Sequence, residues 1–217
     1  MADEMRITKI ERQKKLRNRV SIFVDDQFAA GVSEETLLQA KLRPGDQISR
    51  ESLDSLTADE TLFQAKQSAL RLLSYRPRSE KEIRNYLRTK EFSDENIDQV
   101  LSNLRTSGMV NDREFARAYI RNALTLRPIG RILLRRKLLL LGIEPFMVEE
   151  ALNEECGPED QLSAADVAAE KIMRRVGKRG DPDKAKSRLV AALLRKGFPY
   201  SVVKEVVAKH FSASSDE

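Results

Sequence analysis

The sequence predicts a mainly α chain: three tandem three-helix repeats forming an elongated, curved array, preceded by a small N-terminal module that contains a β-hairpin. Three observations carry this. A stretch around residues 125–152 recurs along the chain, with Arg127-Pro128 falling on Arg76-Pro77 and Leu134, Leu138, Val148 and Leu152 falling on Ile83, Leu87, Ile97 and Leu101. The same stretch slides forward onto Leu189, Leu193, Gly197-Phe198, Val203 and Val207. A fixed period that carries apolar residues at helical spacing is the signature of a repeat architecture. The third observation is compositional: hydrophobic content is 41%, charged content 34%, and there is no Trp. Such a chain suits thin helical layers better than one large core.

Residues 1–56 form the front module. Arg6 to Arg19 holds seven bases and one acid, Glu11. Val20, Ile22 and Val24 alternate, and Asp25-Asp26 supplies turn chemistry before Phe28, which predicts a hairpin. Residues 7–10 offer a third strand. Ser33 caps a short helix through Leu38 that ends at Leu42-Arg43-Pro44-Gly45, and Ser49 opens another through Leu53 and Leu56.

Residues 57–110 are repeat one. Thr57 and Glu60 fit a capping box that starts its first helix, and Ser79 with Glu82 fits a second one. Ser93 caps the third helix, whose stripe is Ile97, Val100, Leu101 and Leu104, and Gly108 stops it. Repeat two is residues 111–157. Asn111 or Asp112 caps the first helix, the middle helix runs from Gly130 to Leu141, and Pro145 opens the third. Gly157-Pro158 marks the end of the unit. Repeat three, residues 158–211, has helices from Ala164 to about Val176, from Lys184 to Lys196 and from Pro199 to Phe211. Residues 177–182 read as a flexible loop, and the tail, 212–217, as disordered.

The net charge is +5 and the isoelectric point about 9.3, which favours a polyanion or an acidic protein surface as partner. The charge is segregated. Arg121, Arg127, Arg131, Arg135, Arg136 and Lys137 form an acid-free block. A second block contains Arg174, Arg175, Lys178, Arg179, Lys184, Lys186 and Arg188. Between them, residues 144–160 hold seven acids and no base. These thirteen cations are the candidate nucleic-acid or filament-binding residues, since Arg and Lys release counterions on neutralising phosphate. Arg131 and Arg135 are i,i+4 neighbours, expected on a face opposite Leu134 and Leu138. The acidic segment is expected to face outward or to pair with a neighbouring unit.

No catalytic, cofactor or metal site is expected. There is no GxxxxGK[ST] loop. The one His, His210, is expected at the surface near the end of the last helix. Ser33 and Ser79 have no His beside them in the sequence. Cys156 is expected at a helix end, its thiol made inert by Glu154, Glu155 and Glu159. A single Cys and the lack of an apolar signal core or spanning run predict a cytoplasmic protein without membrane contact.

With the repeats laid out, the chain resembles the RecX family, regulators of the RecA recombinase. The resemblance covers residues 6–211. It rests most on Ala69 to Ser79 with Glu82-Ile83, and on Leu104 to Ala116, similar to the family's junction between units. Repeat two departs where Gly130 replaces the Ser79 cap and a run of leucines, 138–141, replaces a more polar middle. The resemblance implies a non-enzymatic protein that binds the RecA–DNA filament in its groove and limits filament extension, ATP hydrolysis and strand exchange. It also implies sequence-independent binding to single- and in some cases double-stranded DNA. A monomer is expected. The alternatives are a free-standing helix-turn-helix-like DNA-binding protein, or a helical adaptor for an acidic partner. The middle helices offer Arg and Lys but few base-reading amides, which favours backbone contact.

Overall fold

The computed structural model describes residues 5–14, 18–176 and 181–212. Its elements are β1 (Met5–Arg12), β2 (Arg19–Val24), β3 (Gln27–Ser33), α1 (Glu34–Ala40), β4 (Gln47–Ile48), α2 (Arg50–Leu73), α3 (Glu80–Arg88), α4 (Asp94–Thr106), α5 (Asp112–Leu126), α6 (Arg131–Leu140), α7 (Pro145–Glu155), α8 (Pro158–Val176), α9 (Pro182–Arg195) and α10 (Tyr200–Ser212). The expected mainly α fold is found, with three consecutive helical triplets after a small strand module. The chain divides into two compact units, one taking Met1–Arg76 and Ile83–Ser107, the other Pro77–Glu82 and Gly108–Glu217.

In the first unit, four antiparallel strands lie in the order β3-β2-β1-β4. The hairpin turns at Asp25 and Asp26, both with positive φ (48° and 63°), the backbone a two-residue type I′ turn demands. Ile7, Val20, Ile22, Val24, Ala30, Val32 and Ile48 are buried on one face with Leu56 of α2. Ser33 caps α1 by accepting from the Thr36 amide.

Two helices were expected across residues 49–73, but there is one. Ser49 caps α2 through the Ser52 amide, and the helix continues without interruption. Thr57 is interior, its hydroxyl returned to the Leu53 carbonyl. Glu60, expected as the partner in a cap, is instead buried beneath the hairpin. Its carboxylate accepts from Arg19 (3.0 Å), Gln64 (2.7 Å), the Ser33 amide (2.6 Å) and the Thr36 hydroxyl (2.9 Å). Burial pushes this carboxyl up, but those bonds and the Arg19 charge outweigh it and hold the group below its ordinary range. Arg19 also donates to the Gly31 carbonyl at 2.6 Å. One carboxylate thus ties α2 to β2, to the end of β3 and to α1. Behind it, α2, α3 and α4 bury Ala65, Ala69, Ile83, Leu87, Ile97, Val100, Leu101 and Leu104.

In the second unit, α5, α6 and α7 enclose Phe115, Ala116, Ile120, Leu134, Leu138, Ile143, Val148, Ala151 and Leu152. Helices α8, α9 and α10 enclose a second core, in which Ala164, Ala165, Ala168 and Ala169 let neighbouring helices approach α8 closely around Leu189, Leu193, Phe198 and Val203. Helix α8 begins at Pro158, earlier than the expected Ala164, because Gly157-Pro158 opens this helix rather than only closing the one before. Residues 177–180 and 213–217, expected as loop and tail, lie outside the described residues, but Ser212 belongs to α10.

The same joint occurs twice. The start of one repeat's middle helix lies on the turn that ends the next repeat's middle helix. At the first joint, Ser79 and Glu82 form their capping box, and the Ser79 hydroxyl also donates to the Leu141 carbonyl at 2.7 Å. The next amide, Glu80, donates to Asp112 at 2.9 Å. At the second joint, the Gly130 amide donates to the Lys196 carbonyl (2.8 Å), Arg131 to Gln161 (2.8 Å) and Ile132 to the Gly197 carbonyl (3.1 Å). The receiving turns carry Gly142 (φ +87°) and Gly197 (φ +80°). Glu91, at the matching position of repeat one, also has positive φ (64°) without being glycine. Close approach is therefore a second demand on Gly142 and Gly197, beside backbone sign. A Cβ on Gly142 would stand 2.6 Å from the Lys81 side chain.

Candidate interaction surface

The acids of residues 144–160 were expected to face outward or toward another unit. The four on α7, Glu149, Glu150, Glu154 and Glu155, face the bases of their own repeat, while Glu144, Glu159 and Asp160 are exposed. Arg113 meets Glu150 (3.2 Å), Arg117 meets Glu154 (2.7 Å), and Arg121 meets Glu155, forming a ladder between α5 and α7. From α6, Arg135 holds Glu149. Arg131 reaches Asn153 (2.6 Å), the Leu152 carbonyl (2.9 Å) and, more distantly, Glu149 (3.4 Å). Hydrogen bonding from Arg135, opposed by desolvation and aided by Arg131, holds the Glu149 carboxyl below its usual range. Arg131 sits where the carbonyl-rich end of α7 favours a cation. It is half-buried rather than opposite the Leu134–Leu138 core.

Of the thirteen candidate cations, then, Arg121, Arg131 and Arg135 bind within repeat two. Arg127, Arg136 and Lys137 are exposed and form no ion pair among the described residues. In repeat three, Arg174 lies 3.5 Å from Glu170 one turn back on α8, and Lys184 lies 3.6 Å from Asp181, the cap of α9, both pairs exposed. Exposed i,i+3 and i,i+4 pairs of this kind leave the cation available to a partner. Lys186 and Arg188 are exposed on α9 with no ion pair among the described residues. The Arg175 side chain, Lys178 and Arg179 lie outside the described residues. Exposed Lys171, Arg195 and Lys204, not among the candidates, add to the charge of the same repeat. Arg195 and Lys204 lie beyond the two basic blocks, where a count along the chain does not reach them.

The remaining titratable candidates are structural. Cys156 is buried in the repeat-two core and accepts from Gln161 at 2.8 Å. Burial pushes its thiol up to about 11, with Asp160 adding and Arg131 opposing. The expected inertness has a different cause from the one anticipated, since Glu154 and Glu155 are engaged with arginines. His210 is not a free surface group. It pairs with Asp166 of α8 at 2.7 Å. Lys209, ahead of the desolvation effect and His210, holds the Asp166 carboxyl below its usual range. Among the described residues, no cluster of three or more His, Cys, Asp or Glu is placed to hold a metal, and no helix is long and apolar enough to cross a membrane.

Known proteins match along nearly the whole chain. Residues 5–49 match the family model "Regulatory protein RecX N-terminal domain". Residues 65–104, 111–152 and 159–207 match the RecX first, second and third three-helix domains. The regulatory protein RecX of Bacillus pumilus is 31% identical over 212 residues, covering 97% of this chain and 80% of the relative. That of Clostridioides difficile is 32% identical over 203 residues, 94% of each. A crystal structure of regulatory protein RecX superposes with a TM-score of 0.72 at 27% identity, covering 93% of this chain and 98% of the other. With its strand module and all three helical triplets matched in order, the chain belongs to the RecX family of regulatory proteins.

Proposed function

We propose that the chain is a non-enzymatic regulator that binds the RecA–DNA filament along its groove as a monomer and limits its extension, with ATP hydrolysis and strand exchange falling in consequence. The observation that carries the reading is the division of charge in the second unit. The acids of α7 are taken up by Arg113, Arg117, Arg121, Arg131 and Arg135. Exposed cations without an ion pair among the described residues remain at Arg127 after α5, at Arg136 and Lys137 on α6, which carries no acid, and at Lys186 and Arg188 on α9, whose one acid is Asp183 in its first turn. Consecutive repeats bearing such cations suit a repeating polyanionic polymer, where weak contacts gain affinity by being made together. Helices α6 and α9 carry no aromatic side chain for base stacking and no Asn or Gln for base reading, so the DNA contact is to phosphate and independent of sequence.

The test is RecA ATP hydrolysis on single-stranded DNA, titrated with this protein at fixed salt. Inhibition well below one molecule per RecA subunit supports control of filament extension. Inhibition that only tracks affinity for naked DNA assigns simple competition for the strand and overturns the filament reading. An unaffected recombinase overturns it altogether.

A further inference from the structure

Helix α6 turns its least polar arc to solvent. Leu134 and Leu138 define its inward direction. At 3.6 residues per turn, Leu139, Ile132, Arg136 and Leu140 then fall in succession on an arc of roughly 100° on the opposite side. Ile132 is 62% exposed and Leu140 66%. With Arg135 these four residues line an open groove of about 540 Å³. Leu134 and Leu138 fill the core, Leu139 packs half-buried against its edge and Leu133 lies at the Gly197 joint, so Ile132 and Leu140 are the apolar side chains that folding does not account for.

The chemistry of the arc selects among occupants. Its side chains are aliphatic and offer no ring for a base. A phosphate strand laid across it would leave three apolar side chains without a matching surface. A protein surface matches both parts, with apolar groups against Ile132, Leu139 and Leu140 and carboxylates against Arg136, while Lys137, on the flank beyond Leu140, stays available to phosphate. Neither cation has an ion pair among the described residues, whereas Arg135, on the flank toward α7, already holds Glu149. A second copy of this chain fits poorly, because a two-fold contact would bring the same cations together.

The geometry points to the outward arc of α6, Ile132, Arg136, Leu139 and Leu140, as a docking surface for an apolar patch rimmed by carboxylates on a protein. Resting on the function proposed above, that protein is the subunit of the filament rather than its DNA.

The experiment compares the full chain with the double variant Ile132→Ser/Leu140→Ser and with Arg136→Glu. Three quantities are read: inhibition of RecA ATP hydrolysis, affinity for a labelled single-stranded oligonucleotide, and sedimentation of the chain alone. Both sites of the double variant are exposed, so far-UV helicity is retained. The expected result is a loss of inhibitory potency of about tenfold or more in each variant, with oligonucleotide affinity of the double variant within about twofold of wild type. A parallel fall in oligonucleotide affinity of the double variant assigns the arc to nucleic acid and overturns the proposal. So does self-association of the wild type that the double variant abolishes. Full potency in the variants, with an inhibitory wild type, overturns the surface while leaving the regulator reading intact. A wild type that leaves RecA unaffected removes both.

Discussion

Gly130 and Gly197 meet backbone to backbone: a Cβ built on Gly130 would stand 2.1 Å from the Gly197 carbonyl oxygen. Gly130 has φ −78°, a value any residue adopts, so its need for glycine is steric and not conformational. Gly108 is the converse, with φ +69° and open space around its Cβ position. Gly130→Ala is expected to destabilise the second unit by about 1–3 kcal/mol or more, since rigid backbone on both sides leaves nothing to yield. Gly108→Ala is expected to lose about 1–2 kcal/mol from left-handed strain alone. Urea unfolding followed by circular dichroism checks the order; equal losses would remove the steric account of the joint.

Glu60 makes the first unit sensitive to acid. Its carboxyl lies below the ordinary value in the folded chain, so its ionised form contributes stability that is fully present above the unfolded glutamate value of about 4.3. That contribution is lost as the pH falls through the lowered folded value. Glu60→Gln should therefore reduce stability at pH 7 by roughly 1–3 kcal/mol and flatten the acid limb of a stability–pH curve. Denaturant midpoints measured from pH 7 to pH 3 decide it; an unchanged acid limb would show that other carboxylates set it.

The two classes of arginine in repeat two should separate by phenotype. Arg127→Ala with Lys137→Ala removes two exposed cations without ion pairs, so DNA affinity should fall, and the slope of log affinity against log salt should shrink by about 1 per charge removed. Unfolding midpoints should barely move. Arg131→Ala removes the bonds to Asn153 and the Leu152 carbonyl, and should lower stability by about 1–2 kcal/mol with a smaller effect on DNA. Titrations at several salt concentrations beside urea melts test both halves. A salt slope that responds more to Arg131 than to the exposed pair would reverse the assignment.

Cys156 should be silent toward thiol reagents in the native chain. It is 1% exposed and its thiol is pushed up to about 11, so little thiolate exists at pH 8. Labelling by an aromatic disulfide reagent should be slower than in denaturant by about 100-fold or more. Labelling at the denatured rate would place the thiol at the surface.

What the sequence reveals and what it conceals divide by range. The helical stripes, the hairpin turn at Asp25-Asp26 and the caps at Ser33, Ser79, Ser93 and Asn111 are local, and each is found as read. Glu60 shows the limit. Thr57 and Glu60 have capping-box spacing, but the helix had already been capped at Ser49, and the true partners of Glu60 include Arg19, distant in the chain. The α5–α7 ladder was partly legible. Arg113, Arg117 and Arg121 recur every four residues, as do Glu150 and Glu154, a spacing that suits two facing helices. Segregation of charge along the chain concealed pairing across it. The Gly130–Gly197 contact had a weaker signal: a missing cap in one repeat and a stop glycine in the next, with nothing local to connect them.

The joint between repeats two and three also leaves a mark on solvent exchange. In an isolated helix the first amides have no intrahelical acceptor and remain open to water. At α6, Gly130, Arg131 and Ile132 all donate to acceptors in the following repeat. Deuterium uptake at these three positions is therefore set by separation of the two repeats rather than by fraying of α6. A helix end, usually the least informative part of an exchange map, becomes a direct gauge of how often the chain bends at this point.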